Sequence, residues 1–162
     1  MVRDAETGAL HPADMQTFKA FVPELFAGDI QVDMIPFEPL LDSSDLNPDN
    51  WRQMAHVVQD NYDAYDGFVI LHGTDTMAYS ASALSFMFDN LCKPVVFTGS
   101  QLPVGVLRSD AKENLLTAIE IAAAYDTDGK AIVPEVTLFM DGELYRGNRA
   151  TKRNAEHFSA FN

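Results

Sequence analysis

The sequence predicts an α/β fold: an open, mostly parallel sheet with helices on both faces and a β-hairpin towards its C-terminal end. Residues 68–71 (FVIL) form an uninterrupted apolar run, which is typical of a parallel strand buried on both faces. The alanine-rich apolar stretch 77–91 that comes next is too long for a strand and predicts a helix. Asp141-Gly142, which lies between two strand-like runs, is a strong two-residue hairpin signal.

The N-terminal quarter has weaker signals. Residues 1–16 are polar, show no clean period and are interpreted as a loop. A short helix is predicted over 17–25, with Pro23 breaking it or starting a second piece. The pattern of apolar residues over 31–40 predicts a strand that ends near Pro39.

The next helix has a clear start signal. Asn47 is predicted to cap it, with Pro48 at its first position. Its buried face is predicted from apolar residues at helical spacing, namely Trp51, Met54 or Ala55, Val58 and Tyr62.

The C-terminal half continues the alternation of strands and helices. Strands are predicted over 93–98, 134–140 and 143–146, with a turn over 126–130. A loop over 99–107 leads to a helix that opens at Arg108-Ser109-Asp110 and runs to about Tyr125. Asp110 and Glu113 have the spacing of a capping box, so helix capping is at least as well supported for Asp110 as a role in ordering a site.

Short polar side chains follow two of the predicted strands. Thr74 and Asp75 lie where the strand 68–71 turns into its helix, the position at which open α/β sheets bind ligands. Asp75 or Thr76 can equally cap that helix, and the residues alone leave both interpretations open. Ser43 lies in a Leu-Asp-Ser-Ser-Asp cluster, for which a turn is the favoured interpretation.

Composition excludes several classes of partner. The 162 residues carry a formal net charge of −13, which repels nucleic acid phosphates and anionic membranes. The single cysteine, Cys92, cannot form an internal disulfide, so a reducing, cytoplasmic location is predicted, with the thiol packed as a small buried hydrophobe. The sequence contains neither a phosphate loop nor a metal-ligand cluster, so no cofactor and no metal are predicted. The four histidines are scattered, and His72 is interpreted as packed or hydrogen-bonded.

The stretch GFVILHGTDTMAYSASAL closely resembles a signature of the bacterial-type L-asparaginases, amidohydrolases that convert asparagine to aspartate and ammonia. The DSSD and LYRGNR segments resemble the cytoplasmic, type I-like branch of that family, and LYRGNRATK resembles the family segment that carries a lysine. The resemblance implies the asparaginase large-domain fold, with Rossmann- or flavodoxin-like layering. It also implies a homo-oligomer, a dimer or a tetramer, that uses a threonine nucleophile.

The resemblance assigns roles to four residues. It implies that Thr74, Asp75 and Lys152 are catalytic, because in the matching segment a lysine reaches back to the Thr-Asp pair. It implies that Ser43 holds the substrate's α-carboxylate and amino group, and Asp75 is expected to accept from the ammonium. A lysine can activate a threonine hydroxyl only when its surroundings favour the neutral amine.

Two parts of the family pattern are not in this sequence. The family's principal nucleophile lies in a TGGTI-like segment on the first strand, and MVRDAETG resembles the residues directly after that segment. EHFSAFN resembles the linker that precedes the family's smaller domain. Residues 1–162 are therefore expected to be one domain, the amino-terminal large domain, truncated at both ends. A missing central strand would leave apolar edges, so the isolated chain is expected to be poorly stable.

Three other functions are retained as alternatives. One is the asparaginase-like subunit of a glutamyl-tRNA amidotransferase, against which the acidic charge counts. Another is a non-catalytic amino-acid-binding or assembly module that has kept the substrate contacts without the nucleophile. A generic nucleotide-binding domain is the weakest alternative, because the phosphate-loop glycines are absent.

Overall fold

A four-stranded sheet is the centre of the computed structural model, which describes residues 2–3, 10–11, 15–26, 28–39, 41–102, 104, 106–155 and 157–162. In chain order the elements are β1 (Val2–Arg3), β2 (Leu10–His11), α1 (Met15–Phe21), α2 (Pro48–Asp60), β3 (Phe68–Leu71), α3 (Met77–Met87), β4 (Val95–Thr98), α4 (Ala111–Ala122), β5 (Val136–Met140) and β6 (Glu143–Arg146). Two 3-10 turns cover Pro23–Phe26 and Ser43–Asp45.

The strand order of the sheet is β3-β4-β5-β6, with β3, β4 and β5 parallel and β6 antiparallel to β5. Phe97 of β4 pairs with Ile70 on one side and with Leu138 on the other. The alternation of side chains sends Phe97 and Leu138 into a core with α2 and α3. Val96 and Phe139 point the other way and pack against α4. The predicted α/β fold, with helices on both faces of a mostly parallel sheet, is confirmed.

The start of α2 forms as the sequence predicts. The Asn47 side chain accepts from the Asp49 backbone N–H at 2.9 Å, and the Asn50 side chain accepts from the Asn47 N–H at 2.9 Å. With Pro48 at the first helical position, this is a complete capping box. Met54 and Val58 are then the buried positions on this helix.

The hairpin between β5 and β6 has the backbone that its turn requires. Asp141 has a φ of 52° and Gly142 a φ of 81°, so both central residues are left-handed, as in a type I′ turn. This turn brings β6 back beside β5 and leads the chain towards residues 147–162.

The strand predicted over 31–40 is wrong for the residues that the structure describes, because 31–37 form no ladder with any strand. The alternation behind the prediction is nevertheless present. Val32 and Met34 turn inward against the cluster of Val22 and Leu25, while Gln31 and Asp33 are exposed. Side-chain burial therefore produces the period of two without a strand partner.

Three smaller predictions are also corrected. Residues 1–16 contain the β1–β2 pair and the start of α1, although 1, 4–9 and 12–14 lie outside the described residues. Helix α3 ends at Met87 rather than Leu91, and the chain bends at Asp89 and Asn90, where Asn90 has a φ of 55°. Cys92 is exposed rather than buried, because it lies in the connection after this bend. None of the described helices combines the length and the hydropathy of a membrane-spanning segment.

Candidate active site

The loop His72–Thr76 lies at the carboxyl end of β3, where parallel strands place ligand-binding groups. The backbone N–H of His72 donates to the Thr98 carbonyl at 2.9 Å, which continues the ladder to β4 for one more residue. The chain then leaves the sheet, and Thr74 and Asp75 form the turn before α3. Asp75 or Thr76 was an alternative candidate for the cap of α3. That interpretation is wrong, because no side chain makes a capping hydrogen bond at the start of this helix.

Lys152 reaches this loop from a segment 78 residues further along the chain than Thr74. Its Nζ donates to Thr74 Oγ1 at 2.8 Å and to Asp75 Oδ1 at 2.8 Å. The Lys152 side chain is 14% exposed and that of Asp75 is 69% exposed. The Lys152 side chain is therefore largely shielded from water, while the Asp75 carboxylate that it contacts still faces solvent.

The backbone around Lys152 is fixed by the C-terminal residues. Thr151 exchanges two backbone hydrogen bonds with Asn162, and Arg153 donates to the Ala160 carbonyl at 2.7 Å. Ala160 and Phe161 are buried in the main core. Lys152 is thus carried by a segment that the hydrophobic core holds down.

Ser43 lies against the same loop, at the start of a 3-10 turn. The Thr76 hydroxyl donates to the Ser43 carbonyl at 2.6 Å. The turn that the sequence favours is also present, but its hydrogen bonds come from other residues. Asp42 accepts from the backbone N–H and the hydroxyl of Ser44, and these bonds lower the pKa of the Asp42 carboxyl against a smaller opposing effect of desolvation. The turn and a site role for Ser43 are therefore compatible.

Gly73 permits the close approach of Ser43. A Cβ on Gly73 would lie 2.4 Å from Ser43 Oγ and 2.7 Å from Ser43 Cβ, distances that no side chain allows. Ser43, Thr74, Asp75 and Lys152, the four residues singled out from the sequence, are thus brought together around one loop.

Gln101 is a site residue that the sequence reasoning did not single out. Its Oε1 accepts from the Thr74 hydroxyl at 3.2 Å, and its Nε2 donates to the His157 carbonyl at 2.9 Å. It lies in the loop predicted over 99–107, which follows a parallel strand just as residues 72–76 do, and that shared position was the available signal. Thr74 Oγ1 therefore accepts from Lys152 and donates to Gln101.

Asp110 orders the Gln101 loop and does not cap α4 with its side chain. Its carboxylate accepts from the backbone N–H groups of Gln101 and Leu102 at 3.0 to 3.1 Å. Buried Asn114 braces it, since Asn114 Nδ2 donates to Asp110 Oδ2 and to the Gly99 carbonyl, both at 3.0 Å. The capping-box prediction for Asp110 is wrong because nearby backbone donors compete for its oxygens.

No group of three or more histidine, cysteine, aspartate or glutamate side chains that could hold a metal occurs in the described ranges. What the site offers is a hydroxyl, an amine, a carboxylate and an amide within one hydrogen-bonded cluster. These groups are suited to acid–base and nucleophilic chemistry.

This fold and site define an α/β domain with a candidate Thr-Lys-Asp active site at the carboxyl edge of a parallel sheet. The model of the asparaginase N-terminal family matches residues 1–162, and the chain belongs to that family. It is 57% identical to L-asparaginase 1 of Escherichia coli strain K12 over 125 residues, which cover 77% of this chain and 35% of that protein.

Two further comparisons each cover more than nine tenths of this chain. The crystal structure of L-asparaginase I from Vibrio cholerae matches with a TM-score of 0.80 at 50% identity, covering 93% of this chain and 45% of that one. The D subunit of the glutamyl-tRNA(Gln) amidotransferase of Pyrococcus abyssi is 36% identical over 167 residues, which cover 98% of this chain and 36% of that protein. The chain thus spans about a third of the length of these curated relatives.

Proposed function

We propose that this chain forms part of an L-asparaginase-type amidohydrolase that hydrolyses L-asparagine to L-aspartate and ammonia through a threonine nucleophile. The observation that carries the proposal is the position of Lys152 Nζ, 2.8 Å from both Thr74 Oγ1 and Asp75 Oδ1. A hydroxyl, a potential base and a group that orients the base are the three parts of an activated nucleophile. We further propose that residues 1–162 form one domain of a cytoplasmic homo-oligomer, which the family resemblance supports.

The proposed chemistry begins with proton transfer. Lys152, as the neutral amine, takes the proton of the Thr74 hydroxyl while the oxygen attacks the side-chain amide carbon of asparagine. The proton returns to the amide nitrogen, the C–N bond breaks and ammonia leaves. Water then cleaves the resulting threonine ester to give aspartate. Asp75 holds Nζ throughout by accepting one of its hydrogens.

In these 162 residues, Lys152 is placed to act as the base for Thr74. The resemblance also implies a threonine in a TGGTI-like segment, which is not among these 162 residues. The Thr74 hydroxyl donates a hydrogen bond to Gln101 Oε1 in the resting arrangement, so the hydroxyl must rotate towards Lys152 before proton transfer. Catalytic hydrogen bonds commonly reach their working geometry only with substrate bound.

Substrate recognition is proposed for Ser43 and Asp75. The Asp75 side chain is largely exposed although it binds Lys152, so its carboxylate is accessible to the substrate's ammonium. Ser43 Oγ lies beside Gly73 and can donate to the α-carboxylate. An amino-acid substrate would then be held by both of its charged groups next to Thr74.

Substitution of the two central groups in the full-length protein tests the proposal. Thr74→Val and Lys152→Met should each lower the rate of ammonia release from asparagine by about 10²–10⁴-fold, because each removes a partner in proton transfer. Thr127→Val and Lys130→Met, on an exposed turn, are matched controls that should retain activity. Unchanged ammonia release by Lys152→Met would contradict the assignment of Lys152.

The amidotransferase subunit remains the second candidate, because the Pyrococcus relative matches 98% of this chain. That function predicts that ammonia release requires glutamyl-tRNA and a partner subunit, whereas an asparaginase releases ammonia from free asparagine alone. A non-catalytic module would instead bind aspartate or asparagine without turnover, which calorimetry combined with an ammonia assay would reveal.

A further inference from the structure

His72 is a buried titratable residue that the proposed chemistry does not use. It is 9% exposed, at the end of β3, and both of its ring nitrogens have partners. Nδ1 lies 2.6 Å from the carbonyl oxygen of Gly73, and Nε2 lies 2.8 Å from Ser80 Oγ. Ser80 is fully buried on α3, and its Oγ also accepts from the indole N–H of Trp51 at 2.9 Å.

The chemistry of these partners assigns every hydrogen. A carbonyl oxygen can only accept, so Nδ1 of His72 must carry a proton. An indole N–H can only donate, which leaves the Ser80 hydroxyl hydrogen available for Nε2. With a neutral imidazole, the four groups form one directed chain in which Trp51 donates to Ser80, Ser80 to His72, and His72 to Gly73.

Burial supports the neutral ring. Desolvation lowers the pKa of His72, and the hydrogen bond to the Gly73 carbonyl opposes this effect only in part. The ring also packs against Phe97 of β4, with centroids 5.7 Å apart. His72 is therefore held on both edges and on one face.

The hydrogen-bonded chain ends at the peptide that carries the proposed nucleophile. The carbonyl of Gly73 and the backbone N–H of Thr74 belong to one planar peptide unit, so fixing the carbonyl direction fixes the plane in which Thr74 begins. Gly73 is also the residue against which Ser43 packs. At the other end, Trp51 lies in the first turns of α2, the helix that comes after Ser43.

We propose that His72 is a positioning residue, whose Nδ1–H holds the Gly73 carbonyl and thereby sets the placement of Thr74 relative to Lys152 and Ser43. Trp51 and Ser80 fix the ring in the required tautomer. The inference rests on the proposed amidohydrolase function, in which Thr74 must be placed accurately. A misplacement of a reacting group by about 1 Å can cost about 100-fold in rate.

Two substitutions separate the two ring nitrogens. In His72→Asn, the amide nitrogen takes the position of Nδ1, so the bond to Gly73 is kept and the bond to Ser80 is lost. In His72→Gln, the longer side chain reaches the position of Nε2, so its oxygen accepts from Ser80 and the bond to Gly73 is lost. Each variant loses one hydrogen bond, so their thermal unfolding midpoints should fall alike.

In the full-length protein, His72→Asn should lower kcat for asparagine by about fivefold or less, and His72→Gln by about 10- to 100-fold. A merely structural role would lower activity in step with the unfolding midpoint in both variants. Equal kcat values for the two variants would therefore overturn the proposal. If His72→Gln does not fold, His72→Asn alone is the test: it keeps the Gly73 bond, so a loss of kcat greater than about tenfold in folded protein would overturn the proposal.

Nitrogen-15 NMR of the histidine rings provides a readout that does not depend on turnover. The proposal requires a neutral His72 with the proton on Nδ1, and a proton on Nε2 alone would overturn it. The backbone amide resonance of Thr74 should shift in His72→Gln far more than in His72→Asn. If asparagine is not a substrate, the proposed function fails, while these spectra still decide whether His72 positions Thr74.

Discussion

Glycine at position 73 allows the Ser43 turn and the Thr74 loop to pack closely. In Gly73→Ala, the new Cβ would fall 2.4 Å from Ser43 Oγ, so the Ser43 turn or the Thr74 loop must move. We expect kcat/KM for asparagine to fall by about tenfold or more, because a small displacement of positioned groups is costly. Gly28→Ala is the matched control, since a Cβ at Gly28 meets nothing within 4 Å. Equal activity of the two variants would contradict the close packing.

His72 makes stability depend on pH in a defined direction. Desolvation lowers its pKa in the folded protein below the ordinary value of 6.5, so the unfolded chain binds its proton first as pH falls. The contribution of neutral His72 to stability is complete above about pH 6.5 and is lost as pH falls from there towards the folded pKa. The thermal midpoint of the wild type should therefore drop more steeply between pH 7.5 and 5.5 than that of His72→Gln. Parallel profiles would show that His72 does not titrate on unfolding.

The hydrogen-bond partners of Asp110 could not be predicted from its local sequence pattern. The spacing of Asp110 and Glu113 is that of a capping box, but the carboxylate binds the backbone of Gln101 and Leu102 instead. A pattern of four residues cannot register donors that the fold brings from eight or nine positions earlier. For the same reason, no local pattern marks Gln101 as a site residue, because only its contact with Thr74 places it at the site.

At the scale of elements, α2 offers a direct test of a sequence signal. Asn47→Ala removes the side-chain acceptor of the capping box and should cost about 1 kcal/mol of unfolding free energy. For a chain of this size, that corresponds to about 2–4 °C in the thermal midpoint. Asn148→Ala, at an exposed turn residue, is the control and should leave the midpoint unchanged. A similar midpoint for both variants would mean that the cap contributes little.

Elements were predictable where a local signal sufficed. The N-terminal cap of α2, the apolar runs of β3, β4 and β5, and the Asp141-Gly142 turn all depend on neighbouring residues. The burial of β3 on both faces was predicted wrongly, because its residues are only partly buried and Leu71 is exposed. The strand prediction for residues 31–37 failed because a strand needs a partner. The sequence of the segment does not indicate whether a partner strand lies beside it. Alternating burial against Val22 and Leu25 imitates the pattern of a strand.

In the molecule as a whole, the unpaired edge of β3 is the feature that we expect to lower solubility and stability. Among the described residues, β3 pairs with β4 alone, and Leu71 on β3 is 55% exposed. An unpaired strand edge with apolar side chains promotes association. We expect the 162-residue chain, expressed by itself, to be poorly stable or to aggregate, which size-exclusion chromatography and thermal unfolding would show. Leu71→Lys should reduce the association, because a charge on an edge strand disfavours pairing.

A soluble monomer with one sharp, cooperative unfolding transition would contradict that expectation.

The amino-acid sequence predicts the class of fold and most element types, and its resemblance to the asparaginase family supplies the four residues proposed for the site. The fold class and the elements depend on periodicity and on turn chemistry, which act over a few neighbouring residues. The contacts of Lys152 with Thr74 and Asp75, of Gln101 with Thr74 and of Gly73 with Ser43 are visible only in the folded chain. Contacts between residues 27 to 78 positions apart depend on how the sheet and its helices pack, and no local pattern encodes that packing.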